Sequence, residues 1–198
     1  MTAALALVAG YLLGGVPTAD WLALRRGIDL RDHGSGNPGA NNALRLGGRR
    51  LAATVLAVEV VKGIACVGMG AYVAGEAGMA FAGLGAAVGN VLNPYRSLRG
   101  GQGLGISAGV LLAAFPVGAA AGIMVIAAVV RIVRWTAPAT LAALLAIVLT
   151  ARWLSTTPWG IASSGWATFL AIGLAVTLAP KQLRRLKRLG RPSRPRPA

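Results

Sequence analysis

Long apolar runs, separated by short polar stretches, set the organisation of this chain. Apolar residues dominate about 3–24, 52–74, 77–95, 103–116, 117–133, 136–153 and 160–179. Most of these runs are long enough to cross a hydrocarbon core of roughly 30 Å as a helix, and glycine or proline inside them is tolerated there. The pattern predicts an all-α fold: a polytopic membrane helical bundle of about seven transmembrane helices, in which the pair that parts near Pro116 can equally be one broken helix. A single transmembrane domain is expected over residues 1–180, followed by a basic tail, 181–198, disordered at its proline-rich end.

Composition agrees with that pattern, since 56% of the 198 residues are hydrophobic. With seven spans, one face collects Arg25, Arg26, Arg31, Arg45, Arg49, Arg50, Arg96, Arg99, Arg131, Arg134 and the tail. The other face receives Arg152 and Glu76. The positive-inside rule then places the N-terminus outside and the C-terminus in the cytoplasm. The expected location is the cell (plasma) membrane. The formal net charge of +15 reads as contact with anionic lipid headgroups, because the tail has eight basic residues from Lys181 to Arg196 and no aromatic residue for stacking on bases. No nucleic-acid partner is expected. With one cysteine, Cys66, and one histidine, His33, a His/Cys metal cluster is not expected, and no cofactor is called for.

Polar chemistry concentrates in a few places. Gly34-Ser35-Gly36-Asn37-Pro38-Gly39-Ala40, followed by Asn42 and Arg45, is a glycine-rich turn between apolar runs. Such a turn brings backbone N–H groups toward one point, and the reading places Asn37 as the cap of a helix starting at Pro38. A helix N-terminus favours a phosphate, and Arg45 is placed to add a bidentate clamp. Glu59 and Lys62 lie three residues apart within a span, either as a neutralising pair locking helices or as ligand groups. A second turn runs from Asn90 through Asn93, Pro94, Arg96 and Arg99 to Gly100-Gly101-Gln102-Gly103, where loop N–H groups are expected to cradle a phosphate. Asp29 and Asp32 are expected to balance Arg25, Arg26 and Arg31. With five carboxylates in all and no Ser/His/Asp set, catalysis would rest on positioning and electrostatics.

These residues resemble the bacterial acyl-phosphate-dependent glycerol-3-phosphate acyltransferases, the PlsY family. The likeness starts at Gly14-Gly15-Val16-Pro17-Thr18 and runs through Gly27-Ile28-Asp29-Leu30-Arg31 and His33 to Arg45. Glu59-Val60-Val61-Lys62-Gly63 is similar to the family's acid-x-x-Lys-Gly element, and Gly89 to Gly103 aligns with its second motif. The resemblance implies transfer of a fatty acyl group from acyl phosphate to the 1-hydroxyl of glycerol 3-phosphate. The products are lysophosphatidate and phosphate, an early step of phospholipid synthesis that needs no metal. It implies a catalytic role for Ser35 and Arg45. It implies substrate contacts at Gly34, Gly36, Asn37, Gly39, Asn42, Lys62, Asn90, Arg99, Gly100, Gly101, Gln102 and Gly103. The chain departs from the family at Asn90, where the family has His, and at Gln102, where it has Lys. Pro94 stands one position late, and the family's C-terminal His, Asn and Glu are replaced around Lys181 and Gln182. Arg96, Arg99, Lys181 and Arg184 are the candidates to supply the missing charge. Two classes therefore stand: an acyltransferase with a rebuilt phosphate pocket, and a non-catalytic paralogue that binds a lipid, a phospho-ligand or a partner enzyme. The oligomeric state is left open.

Overall fold

Every regular element is helical among the residues that the computed structural model describes, which are 1–133, 135–156 and 165–189. The helices are α1 (Thr2–Gly15), α2 (Thr18–Leu24), α3 (Ala40–Val91), α4 (Leu104–Ala114), α5 (Pro116–Val133), α6 (Thr136–Thr156) and α7 (Trp166–Leu189), with a 3₁₀ turn at Pro94–Arg96. Five stretches are long and apolar enough to cross a bilayer: Thr2–Leu24, Ala40–Arg96, Pro116–Val133, Thr136–Leu154 and Trp166–Leu186.

The longest of them doubles back. Helical backbone fails at Ala74 (φ −150°) and at Gly75 (φ 57°), between the runs expected at 52–74 and 77–95. Glu59 and Asn90, bonded at 2.6 Å, stand symmetrically about that break, so the two arms run antiparallel. Gly70 and Gly78 face each other nearer the turn, where a Cβ on either would run into the other's carbonyl. The first arm carries a further break at Gly48 (φ 76°).

Small residues set how closely the other helices approach. Gly10 and Gly14 of α1 lie against the backbone of Ala82 and Ala86, and Gly85 and Gly89 of α3 lie against that of Leu7 and Tyr11. Gly63 and Gly109 do the same between α3 and α4. Backbone-to-backbone packing of this kind is how helices associate in lipid, where burying an apolar side chain gains little over leaving it in the acyl chains. Val67, Val91, Ile106, Val110, Leu170, Leu174 and Leu178 fill the core that α3, α4 and α7 share.

Three expectations change. The run at 3–24 is two helices, because Pro17 interrupts it between α1 and α2. The run at 103–116 gives α4, whose 11 residues reach only about 16 Å and do not cross the core alone. The boundary placed at 180/181 is not a structural one, since α7 passes through Pro180 and continues to Leu189. Arg134, residues 157–164 and the tail beyond Leu189 lie outside the described residues.

Candidate active site

The first polar loop is shaped by one buried amide. Asn42, 1% exposed, accepts the Ser35 N–H at Oδ1 (2.9 Å) and donates from Nδ2 to the carbonyls of Leu30 (2.8 Å) and His33 (3.0 Å). Gly34 (φ 65°) and Gly36 (φ 67°) supply the left-handed conformations that this wrap requires. Asn42 was expected among the substrate contacts. Both Nδ2 hydrogens and one lone pair of Oδ1 are instead committed to holding the loop that carries Ser35. Asp29 Oδ1 accepts the N–H groups of Arg31 (2.7 Å) and Asp32 (3.3 Å). Those backbone donors, Arg31's above all, hold its carboxyl below the usual carboxylate range.

Arg31 does not pair with Asp29 or Asp32 as the sequence suggested. Its guanidinium reaches back to Asp20, with Nε at 2.9 Å and Nη2 at 2.8 Å from Oδ2, while Nη1 donates to the Arg99 carbonyl at 2.8 Å. One side chain thus joins α2 and both glycine-rich loops. Nor does Asn37 cap the helix: α3 begins at Ala40, with Gly39 in extended conformation before it and no side-chain cap.

The second loop is pinned from several sides. Asn93 donates from Nδ2 to the Gly15 carbonyl (2.6 Å) and accepts the Tyr95 N–H (3.0 Å). Ser97 and Leu98 both take left-handed backbone, and the N–H groups of Gly100 and Gly101 donate to the carbonyls of Val91 (3.2 Å) and Asn90 (2.9 Å). The expectation that these two N–H groups cradle a phosphate is therefore corrected: they close the loop on α3. A Cβ at Gly100 would run into the Asn90 carbonyl, which explains the glycine there. From the other side, Lys181 of α7 donates to the carbonyls of Val91 (3.0 Å), Gly100 (2.9 Å) and Gly101.

Between the loops lies a buried polar cluster. Glu59, 8% exposed, accepts from Thr18 Oγ1 (2.8 Å), Lys62 Nζ (2.9 Å) and Asn90 Nδ2 (2.6 Å). Lys62 also donates to the Val16 carbonyl (2.8 Å) and to Thr18 Oγ1 (3.3 Å). Of the two readings of this pair, the geometry carries the lock between helices. Lys62 Nζ meets three acceptors and turns none of its donors to a cleft.

Two clefts open beside this framework. One, of about 200 Å³, is lined by Asn37 to Asn41 and by Glu59, Asn90, Gln102, Gly103, Leu104 and Gly105. Both α3 and α4 start at it, so their first-turn N–H groups and dipoles favour an anion there. Gly103, in left-handed conformation (φ 75°), begins α4 and accepts the Ser107 N–H. The other cleft, of about 790 Å³, is lined by Ser35, Asn37, Asn41, Leu44, Arg45, Gln102, Trp135, Thr136, Ala137 and Arg185. Asn37 and Gln102 border both, so the two are adjoining parts of one polar recess. Ser35, Asn37, Arg45 and Gln102 are brought together. The Arg99 side chain is exposed and lines neither cleft.

Arg185 and Lys181 are the site residues that the sequence reading passed over or left undecided. They stand one turn apart on α7, and a lysine and arginine four residues apart, in step with buried Leu178 and Leu174, is the signal that a helix continues. An apolar cavity of about 100 Å³ between α4, α5, α6 and α7, lined by Leu104, Leu111, Ile147 and Leu174 among others, lies deeper in the bundle.

Comparison with known proteins agrees with this architecture. The profile of the family described as Glycerol-3-phosphate acyltransferase matches residues 4–190. "Glycerol-3-phosphate acyltransferase 1" of Deinococcus radiodurans is 40% identical over 118 residues, 59% of this chain and 60% of that protein's length. The "Glycerol-3-phosphate acyltransferase" proteins of Symbiobacterium thermophilum and Rhizobium meliloti are 37% and 39% identical over 142 residues. They cover 72% and 71% of this chain and 71% and 70% of their own lengths. The crystal structure of PlsY, an integral membrane glycerol 3-phosphate acyltransferase, in its glycerol 3-phosphate form superposes with a TM-score of 0.81. It covers 96% of this chain and 92% of that one at 24% identity, a likeness of fold. A family match over nearly the whole length, together with that fold, makes the chain a member of the glycerol-3-phosphate acyltransferase family.

Proposed function

We propose that this protein transfers a fatty acyl group from acyl phosphate to the 1-hydroxyl of glycerol 3-phosphate, releasing lysophosphatidate and inorganic phosphate. The observation that carries the reading is the polar recess where Ser35 and Arg45 meet the glycine loop beside membrane-spanning helices. The reaction joins a water-soluble phosphate ester to a membrane-borne acyl chain, so a basic cleft bordering an apolar bundle suits both substrates.

The chemistry matches the side chains. The acceptor hydroxyl attacks the acyl carbonyl carbon, the carbon–oxygen bond to phosphate breaks, and phosphate leaves. Acyl phosphate is a mixed anhydride with a good leaving group, and the departing phosphate is itself able to take the hydroxyl proton. Little is asked of a protein base. Glu59, the one carboxylate lining the recess among the described residues, is occupied by three donors, Thr18, Lys62 and Asn90, and so engaged turns no free oxygen pair to a substrate hydroxyl. Arg45 and the first turns of α3 and α4 stabilise phosphate charge, and Ser35 orients a substrate by its hydroxyl. The arginine-rich face, which carries the recess, is cytoplasmic in this reading, in a multi-pass plasma-membrane protein with the C-terminus inside. The basic residues beyond the recess rest on anionic headgroups.

The non-catalytic alternative draws on Lys62 and Asn90, whose side chains are taken up by Glu59. One assay separates the two. Detergent-purified protein incubated with palmitoyl phosphate and labelled glycerol 3-phosphate is expected to give lysophosphatidate and phosphate in equal amounts. Folded protein that forms no product overturns the acyltransferase reading.

A further inference from the structure

The large cleft brings two arginines together with nothing of opposite charge. Arg45 enters from α3 and Arg185 from α7, and no carboxylate is among the residues lining the space. Neither arginine takes part in an ion pair among the described residues. The side-chain hydrogen-bond partner of Arg185 among the described residues is neutral: Nη1 donates to Gln102 Oε1 at 2.9 Å. That bond fixes the plane of the guanidinium and leaves its other N–H groups available.

The backbone behind Arg185 is also fixed. One turn earlier, Lys181 clamps the carbonyls of Val91, Gly100 and Gly101, which ties α7 to the loop that carries Gln102. Two like charges held together by rigid supports are unfavourable in an empty cleft and favourable around an anion.

We propose that Arg185, braced by Gln102, is a phosphate-binding residue facing Arg45, so that the last helix supplies the second cation of the site and the glycine loop supplies only its support. This deepens the reading above and rests on it for the identity of the ligand. The shared chemistry is a phosphate group, carried by glycerol 3-phosphate or by acyl phosphate.

The test is a titration of the purified full chain with labelled glycerol 3-phosphate and with inorganic phosphate, glycerol serving as the uncharged control. Arg185→Ala is expected to weaken both phosphate ligands about ten- to hundredfold, the loss that fits a charge-assisted hydrogen bond. Arg185→Lys keeps part of the affinity, and Gln102→Ala, which frees the guanidinium, costs several-fold. Adding Gln102→Lys to Arg185→Ala puts a cation back beside the cleft and is expected to recover binding. In turnover, a raised KM for glycerol 3-phosphate assigns Arg185 to the acceptor, and a raised KM for acyl phosphate assigns it to the donor. Affinities within twofold of wild type in Arg185→Ala overturn the proposal. Should that variant not fold, Arg185→Gln gives the same comparison at similar length. Arginine-dependent binding without turnover would overturn acyl transfer and uphold this inference, and turnover indifferent to residue 185 would do the reverse.

Discussion

Glu59→Ala tests whether the buried cluster is the lock that joins the bundle. The carboxylate and its lysine partner are only 11% and 13% exposed at the side chain and lie 2.9 Å apart. Removing the carboxylate strands the Lys62 cation and deprives Thr18 and Asn90 of their acceptor. Breaking a buried pair costs about 3–5 kcal/mol. Lys62 keeps the Val16 carbonyl and the Thr18 hydroxyl, which places the expected loss near the lower end, about 3 kcal/mol. Glu59→Ala with Lys62→Met removes the stranded charge as well. What remains, as in the single variant, is the loss of an acceptor for the Thr18 hydroxyl and the Asn90 amide, about 1–2 kcal/mol each, without the stranded charge. The double variant should therefore be more stable than Glu59→Ala alone. Reversible unfolding in mixed micelles, followed by tryptophan fluorescence, measures both. A loss below about 1 kcal/mol for Glu59→Ala, or a double variant less stable than the single, refutes the lock.

Other perturbations give separate outcomes. Lys181→Met removes the ammonium that ties α7 to the carbonyls of Val91, Gly100 and Gly101 and should lower acyl transfer at least tenfold while the helical content holds; Lys181→Arg should not restore it, since a planar fork does not replace a tetrahedral ammonium meeting three carbonyls. Activity equal to wild type in Lys181→Met contradicts the clamp. Gln182, fully buried with neither amide atom partnered among the described residues, should gain about 1–2 kcal/mol of stability on replacement by Met, and a loss of stability would mean that its amide has a partner. Gly100→Ala should disable the second loop by its collision with the Asn90 carbonyl, whereas alanine at Gly68, where a Cβ meets nothing, should leave the rate unchanged. The Asp29 carboxyl sits below its ordinary value, so its contribution is present above the unfolded-state pKa and is lost as pH falls through the folded one. Wild type should lose slightly more stability than Asp29→Asn between about pH 6 and pH 3, and parallel curves would remove the carboxylate's role in the loop.

What the sequence made legible was local. The first loop is short, and its glycines, Ser35 and Asn42 lie within nine residues, so spacing alone placed them together. The two arms of α3 were separable because the polar Glu76 and the glycines near it interrupt the apolar run. The rest depended on contacts distant in sequence. Asp29 and Asp32 are nearer to Arg31 along the chain, yet Asp20 takes it because the loop folds back over α2. Asn37 has the side chain of a cap, but Gly39 in extended backbone begins the helix two residues later than expected. The N–H groups of Gly100 and Gly101 looked available because nothing local shows that the carbonyls of Val91 and Asn90 turn toward them. Pro180 and the run of cations after it read as the end of a span and a lipid-binding tail. A proline inside a helix of a membrane bundle is tolerated where neighbours compensate, and here it hid the turns that bring Lys181 and Arg185 into the site.

The most direct test of the account is the rate of lysophosphatidate formation from palmitoyl phosphate and labelled glycerol 3-phosphate, compared between wild type and Arg45→Ala. Product from wild type and a rate at least about a hundredfold lower in the variant, which remains folded, is the predicted result. Equal rates in the two proteins, or none in wild type, would contradict an acyl-transfer site built in this cleft.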